Sequence, residues 1–367
     1  MKKFTIIIDV FYKLEIFKIS LEATLKQSYK NLEIIIINNA ASEDIVTYIL
    51  SKADHDKRIK IINYEENVYD FSDPMMMVKI FHDALLKSEG DYVFYNSYDD
   101  VMALDYVERM VNLFSENKKS ISAAGRPVSI DIKGNVNLEE LNNRKSNFRP
   151  RHMPGYLLPL DGIDKNSKSM FSAPGSIFSF KTKELIELGG YHKCFEISQL
   201  IGVVPFGDTS FDEDAIFYWR RHKDQGHYQL TSIGFNDILD LKKLLIDWNI
   251  FSRWEKSYGN SYARKIVYGY KSNVYRSASS IFLINLFDLN FKGCLRPLKD
   301  GFNNYLFWKY IFLILLKDYK FFIIKLLKII SPILKPFINT LNRIFGMILM
   351  RSSIFKKIHS HVNNINK

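Results

Sequence analysis

The order of apolar and polar positions predicts a repeating strand and helix pattern over the first hundred residues. Phe4 to Val10 and Leu32 to Ile37 are short, isoleucine-rich runs that are apolar along almost their whole length, as in strands buried on both faces. Between them Leu14, Phe17, Leu21 and Leu25 recur at helical spacing, which makes a strand-helix-strand unit. Arg58 to Tyr64 alternates as a third strand, and Pro74 opens a segment whose Met77, Ile80, Phe81, Ala84 and Leu85 share one helical face. A further apolar run leaves Gly90 and ends in Asp99-Asp100. Asp105 followed by Glu108 then has the form of a capping box ahead of a helix striped by Val107, Met110, Val111 and Phe114. Such alternation implies an α/β fold with a mainly parallel sheet covered on both faces. In these sheets ligands collect outside the carboxyl ends of the strands.

The second part of the chain is less regular. Residues 131–170 are polar with little periodicity and are expected to form a long loop near the site. Ser176 to Phe180 reads as a strand, and Thr182 to Leu188 as a helix stopped by Gly189-Gly190. From Phe211 to Arg221 three acids enter an aromatic segment that closes on two arginines, the charge order that complements a helix dipole. Three successive acids exceed what capping needs. From about residue 240 the pattern turns to helices rich in Lys, Tyr and Phe, so the expected division is 1–240 and 241–367.

Charge changes this picture only at the end of the chain. The formal net charge is +11, and residues 301–367 alone carry eleven Lys and Arg against the single acid Asp318, a balance of +10. Leu306 to Leu316 is interrupted by Lys309 and is shorter than the ~20 residues a transmembrane helix needs. Lys317, Lys320, Lys325, Lys328 and Lys335 then fall on one side of a helical projection opposite Phe, Ile and Leu, with breaks at Pro332 and Pro336. A basic face opposite an apolar one suits a helix lying on an anionic membrane surface. It does not suit nucleic acid, whose binding uses scattered stacking aromatics. Hydrophobic content of 47% provides ample core. Cys194 and Cys294 are too far apart in sequence to suggest a disulfide framework or a thiolate zinc site, which fits a reducing, cytoplasmic setting. Asp9 breaks the N-terminal apolar run too early for a signal peptide.

Asp99 and Asp100 are the first candidates for chemistry. An aspartate pair after a strand serves as a solvated turn, as a helix cap, or as hard oxygen ligands for Mg²⁺ or Mn²⁺ that in turn hold phosphates. Glu213 and Asp214 form a second acidic pair downstream. His152, His192, His222 and His227 are further possible ligands, and Arg220 and Arg221 could reach a diphosphate.

These stretches resemble the family 2 inverting glycosyltransferases of GT-A fold, over roughly residues 3–235. The run Ser20-Leu21-Glu22-Ala23-Thr24-Leu25-Lys26-Gln27-Ser28-Tyr29 leading into the second strand is similar to the family's opening. Asp91 to Phe94, Asp99-Asp100 and Leu104 to Glu108 resemble its strand, DxD-like motif and following helix. Ser172 to Ser176 with Leu188-Gly189-Gly190-Tyr191 resembles the acceptor-side segment, and Glu213-Asp214 with Trp219-Arg220 and Gly226 the family's Glu-Asp motif. The resemblance implies that Asp99 and Asp100 bind Mg²⁺ or Mn²⁺, and that Asn38, Asn39, Asn67, Ser97 and Asp99 contact the nucleotide-sugar. It makes Asp214 the base, with Glu213 beside it. The implied activity is transfer of a single sugar, UDP-linked, to a growing lipid-linked glycan by a peripheral protein of the cytoplasmic membrane face. The departures are Asn38-Asn39 where the family carries acids, Ser97 in place of the first acid of DxD, and no arginine from Val68 to Met77. They leave open a degenerate fold that serves a glycan-assembly complex as a binding subunit.

Overall fold

The computed structural model describes residues 1–68, 74–142, 150–163, 177–190, 202–222, 249–288 and 290–317. The chain divides into two units, Met1–Lys271 and Ser272–Lys367. In the first, β1 (Phe4–Val10), α1 (Leu14–Leu25), β2 (Leu32–Asn39), α2 (Glu43–His55), β3 (Ile59–Tyr64), α3 (Pro74–Leu86) and β4 (Tyr92–Asn96) follow as the pattern predicts. Next come β5 (Val101–Met102), α4 (Tyr106–Glu116), β6 (Ser120–Ile130), α5 (Leu138–Asn142), β7 (His152–Pro154), α6 (Leu157–Ile163), β8 (Phe178–Lys181), α7 (Thr182–Glu187) and β9 (Asp208–Arg220). The helices α8 (Ile250–Tyr258), α9 (Asn260–Phe287), α10 (Phe291–Gly301) and α11 (Tyr305–Lys317) close the described chain.

Among the described residues the strands form one sheet in the order β3-β2-β1-β4-β8-β6-β9-β5, with β7 also on β9. Strands β3, β2, β1 and β4 are parallel, with Ile6 beside Ile34 on one side and Phe94 on the other. Ile6, Ile7, Ile8, Ile34, Ile36 and Ile37 are fully buried, each worth roughly 1.5–3 kcal/mol relative to exposure. Burial on both faces explains why these runs do not alternate. The other half is mixed: β4 and β6 flank β8 antiparallel, while β6 and β9 run parallel.

Three expectations change. Phe211 to Arg220 is strand, not helix. Its acids occupy a bulge, because Ala124 pairs with Phe211 but Arg126 with Ile216, leaving Asp212 to Ala215 opposite Gly125. A Cβ at Gly125 would lie 2.3 Å from the Ala215 carbonyl oxygen and 2.5 Å from the Tyr106 ring, so only glycine admits this approach. Second, the capping box does not form. Asp105 accepts from Arg109 Nε at 2.6 Å, Glu108 from Ser28 Oγ at 2.6 Å, and Gln27 Oε1 instead accepts from the Val107 N–H at 3.1 Å. The Gln27 amide also donates to the Ala103 carbonyl at 2.8 Å, so the Gln-Ser-Tyr run fastens α1 to the segment after Asp99-Asp100. Third, the stretch 131–170 is not simply a loop, since it contributes α5, β7 and α6. Gly189 and Gly190 do end α7 with positive φ, 110° and 59°.

In the second unit Phe307 of α11 packs on Phe282 of α9 at 5.6 Å between ring centres. Leu306, Phe307, Tyr310 and Ile311 are buried, while Tyr305, Trp308, Phe312 and Leu316 are exposed. No helix among the described residues is long and apolar enough to cross a membrane. The basic amphipathic segment after Lys317, the stretch Ser172 to Ser176, Tyr191, Gly226, His192 and His227 lie outside the described residues.

Candidate functional site

The carboxyl ends of β1, β2 and β4 bring Asp9, Asn38, Asn39, Asn96 and Ser97 to one edge of the sheet, with Val10 in register with Asn38 and Ile8 with Asn96. Two non-glycine residues with positive φ stand there, Lys13 after β1 at 63° and Ala40 after β2 at 52°. Such strain collects where surrounding structure dictates a backbone path.

Ser97 to Asp100 form a turn closed by the Asp100 N–H on the Ser97 carbonyl at 3.2 Å. Both aspartates are buried, 5% and 3% exposed, so their charges need partners. Arg220, the last residue of β9, supplies two contacts to the turn and two more to the segment after β6. Its backbone N–H donates to Asp100 Oδ1 at 2.9 Å, its Nε to the Asp99 carbonyl at 2.8 Å, and its Nη1 to the carbonyls of Asp131 and Ile132 at 3.0 and 3.1 Å. Burial lowers the Arg220 pKa, and the charges of Asp99, Asp100 and Asp131 oppose that effect. His222 completes the turn's support, with Nε2 at 3.0 Å from Asp99 Oδ2. Lys13 Nζ lies 3.3 Å from the other ring nitrogen. Tyr98, tilted against Tyr12 at 5.1 Å and edge-on to Phe11 at 6.2 Å between ring centres, has its phenol pushed up by burial and then by the Asp99 charge.

The other expected residues are placed differently. Asn38 donates to Asn63 Oδ1 at 3.0 Å and accepts from the Ala41 N–H at 2.9 Å. Asn39 donates to Asn67 Oδ1 at 3.0 Å and accepts from the Val68 N–H at 2.9 Å. These amides tie the loops after β2 and β3 together. Ser97 is half-buried, and its carbonyl also accepts from Ser20 Oγ at 3.4 Å. Glu213 and Asp214 are exposed in the β9 bulge, which Arg126 pins through the Glu213 carbonyl at 2.9 Å. Asp212 accepts from the Asp214 N–H at 3.0 Å and from Arg109 at 3.2 Å. Ile216 to Arg220 alone measures roughly 13 Å at ~3.3 Å per residue. The Asp9 carboxylate, which accepts from Tyr95 OH at 2.7 Å, and Lys13 were not expected here. An aspartate closing an otherwise apolar strand was the available signal for the first.

Chemically, Asp99 with His222 offers an oxygen and a nitrogen donor side by side, a pair suited to Mn²⁺ or Mg²⁺ when phosphate oxygens supply further ligands. Among the described residues no group of three or more His, Cys, Asp or Glu converges on one point.

Residues 5–165 match the family described as Glycosyl transferase family 2, and the resemblance read from the sequence holds over that segment. An uncharacterized glycosyltransferase of Haemophilus influenzae is 30% identical over 111 residues, 30% of this chain and 41% of that protein. The alignment therefore spans less than half of that relative. The structure of S. aureus TarS 1–349 in complex with UDP-GlcNAc has a TM-score of 0.57 and 13% identity, covering 81% of this chain and 80% of that one. At that identity the likeness is one of fold, and the fold is the expected GT-A type. A mannosyltransferase of Pyrobaculum calidifontis in complex with GDP-Man and Mn²⁺ has a TM-score of 0.46 with 12% identity, covering 76% of this chain and 75% of that one.

Proposed function

With residues 5–165 matching glycosyl transferase family 2 as the premise, we propose that the chain is an inverting, metal-dependent glycosyltransferase that moves one sugar from a nucleotide-sugar, UDP-linked, to a growing lipid-linked glycan. The observation that carries the reading is the buried Asp99-Asp100 turn at the carboxyl ends of parallel strands, held by Arg220 and His222. Buried carboxylates at a ligand-binding edge, anchored from a distant strand, are costly as mere surface turn residues.

Asp99 and Asp100 would hold Mg²⁺ or Mn²⁺, which when bound supplies Lewis-acid stabilisation of the departing diphosphate. Arg220 stays out of solvent and orients the turn rather than meeting substrate. Asp214 is the proposed base with Glu213 beside it: exposed on the bulge, it is open to an acceptor hydroxyl. The amides of Asn38, Asn39 and Asn67 order the loops beside the donor. A UDP donor is supported by the UDP-GlcNAc complex of the structural neighbour. Association with an anionic membrane at its cytoplasmic face is supported by the +10 balance of residues 301–367 and by the exposed Tyr305, Trp308, Phe312 and Leu316 of α11. The rival reading, a binding subunit without turnover, draws on the neutral amides at 38 and 39, whose hydrogen bonds run to neighbouring loops.

The test is a panel of nucleotide-sugars screened with Mn²⁺ for stabilisation and hydrolysis. A donor at 100 times its Kd stabilises the fold by about 2.7 kcal/mol. Asp99→Asn should cut hydrolysis at least ~10²-fold, since Lewis-acid stabilisation is worth several kcal/mol. Asp214→Asn should cut sugar transfer by roughly 10²–10⁴-fold with donor binding kept. Donor binding with no turnover in the unmodified chain would favour the binding subunit. Unchanged transfer by Asp214→Asn would remove that residue from the mechanism.

A further inference from the structure

Helix α9 carries its charge where helix stability does not call for it. Its 28 residues include Arg264, Lys265, Lys271 and Arg276 but no Asp or Glu, and the first turn holds no acid. Acids near the amino terminus and cations near the carboxyl terminus complement the helix dipole, so Arg264 and Lys265, in the second turn, add nothing to the helix itself. Successive positions turn through ~100°, which sets Arg264, Tyr268 and Lys271 within about 60° of one another, with Lys265 at the margin of that face. All four are exposed, Tyr268 by 49%. The opposite face is packed: Ala263 and Ile266 are buried in the core of the first unit, and the Tyr262 hydroxyl donates to the Tyr156 carbonyl at 2.8 Å.

Elsewhere on this unit Lys2, Lys18, Lys52 and Lys60 are matched by Asp91, Glu15, Glu22 and Glu33. Among the described residues Arg264, Lys265 and Lys271 make no ion pair. Cations gathered on one face with no acid between them suit a surface of phosphate headgroups, and the Tyr268 ring, an apolar body with a polar tip, suits the headgroup level. We infer that the face of α9 bearing Arg264, Lys265, Tyr268 and Lys271 is a contact between the unit that carries Asp99-Asp100 and an anionic phospholipid surface, separate from the segment after Lys317. The inference rests on the proposed membrane association and adds a consequence to it, since a patch on a packed helix fixes which side of this unit faces the lipid. One tyrosine among three cations gives no row of stacking positions for a nucleic acid strand. Tyr258, just before α9, donates to the Pro205 carbonyl beside the amino end of β9, and β9 runs in the direction of β4. The contact therefore lies away from the carboxyl ends that hold the aspartate turn, and takes no part in donor binding.

The experiment follows sedimentation of the full chain with vesicles of phosphatidylcholine alone or mixed equally with phosphatidylglycerol. A Lys or Arg near an anionic surface contributes roughly fivefold to partitioning, so Arg264→Gln, Lys265→Gln and Lys271→Gln together should weaken binding to the mixed vesicles about 10²-fold. The control removes the same charge from exposed positions off α9, Lys57→Gln, Lys118→Gln and Lys119→Gln. Charges held beyond a screening length from the lipid contribute little, so the control should lose less than about threefold. Glutamine keeps a good helix propensity, and Lys265→Glu with Lys271→Glu gives a second variant, expected to weaken binding at least as far, that decides the matter if the triple variant does not fold. Equal losses in the α9 and control variants would overturn the α9 contact and leave membrane association to the rest of the chain. If the unmodified chain has no preference for the mixed vesicles, the contact and the membrane reading fall together. A loss confined to binding of a single-stranded oligonucleotide, with vesicle binding unchanged, would assign the face to nucleic acid and overturn the inference as well. If the α9 variants alone lose the vesicles while the unmodified chain turns over no donor, the contact stands and the transferase reading fails instead.

Discussion

Replacing Arg220 by methionine tests whether the buried turn depends on a cation supplied by β9. The side chain is 1% exposed, so its loss exposes nothing and instead leaves acceptors without donors. The Asp99 carbonyl lies in the interior, and an unsatisfied buried acceptor costs about 1–3 kcal/mol. The carbonyls of Asp131 and Ile132 belong to exposed residues, so water replaces those bonds at roughly 0.5–1 kcal/mol each. Asp99 and Asp100 also lose a neighbouring positive charge, and breaking a buried pair from one side costs about 3–5 kcal/mol, a range that already includes some of the lost hydrogen bonds. Methionine returns roughly 1–2 kcal/mol as buried apolar surface. The net expectation is a loss of about 3 kcal/mol, while the backbone N–H to Asp100 survives. Urea denaturation of the full chain followed by circular dichroism measures it, with Arg221→Met as control. Arg221 is exposed and stacks on Trp219 at 4.5 Å, a contact worth about 0.5–1 kcal/mol. If the two substitutions agree within about 0.5 kcal/mol, the turn does not rest on Arg220.

Ala40 has φ 52°. Its replacement by glycine removes a strain of roughly 1–2 kcal/mol against about 0.4–1 kcal/mol of added unfolded-chain freedom, so Ala40→Gly should raise stability slightly, read as a higher urea midpoint; a lower midpoint would contradict the strain argument. Hydrogen bonds from Lys60 and then Lys3 hold the exposed Glu89 carboxyl at about 2, below its ordinary value of 4.5. A depressed folded-state value contributes stability above pH 4.5 that is lost as pH falls toward 2. Glu89→Gln should flatten that part of a melting-temperature profile, and salt near 1 M, where screening acts within ~3 Å, should do the same to the unmodified chain. An unchanged acid limb in both cases would remove Glu89 from the account.

The parallel half of the sheet is legible because strands buried on both faces leave unbroken isoleucine runs, and Leu14, Phe17 and Leu21 match a helix period. Segment β9 misleads because acids before aromatics before arginines imitate the charge order of a helix. In the folded chain those acids sit in a bulge fixed by Gly125, a residue whose requirement is visible only once Ala215 and Tyr106 are beside it. The Asp105 and Glu108 pattern misleads for a similar reason: Gln27, from another helix, takes the N–H that a local cap would have taken. The aspartate pair was visible as a motif, but its partners were not. His222 lies 123 positions from Asp99 and Lys13 209 positions from His222, distances over which no local period carries information.

The bulge and the aspartate turn form one construction. From Ile216 to Arg220 the register of β9 against β6 runs unbroken from Arg126 to Ile130. β5 holds the opposite side of β9 through Val101 against Tyr218 and Met102 against Phe217. Because Val101 follows Asp100 directly, this pairing sets the Asp99-Asp100 turn against the end of β9. Side chains alternate faces along a strand, so a slip of one residue would turn Arg220 away from the turn. The bulge sets four residues of β9 opposite Gly125, three more than a regular ladder would, and the strand resumes in register beside Arg126. The register beyond the bulge thus sets Arg220, and with it the start of the short path to His222. A substitution that closed the bulge would be felt at Asp99 before it was felt in the core.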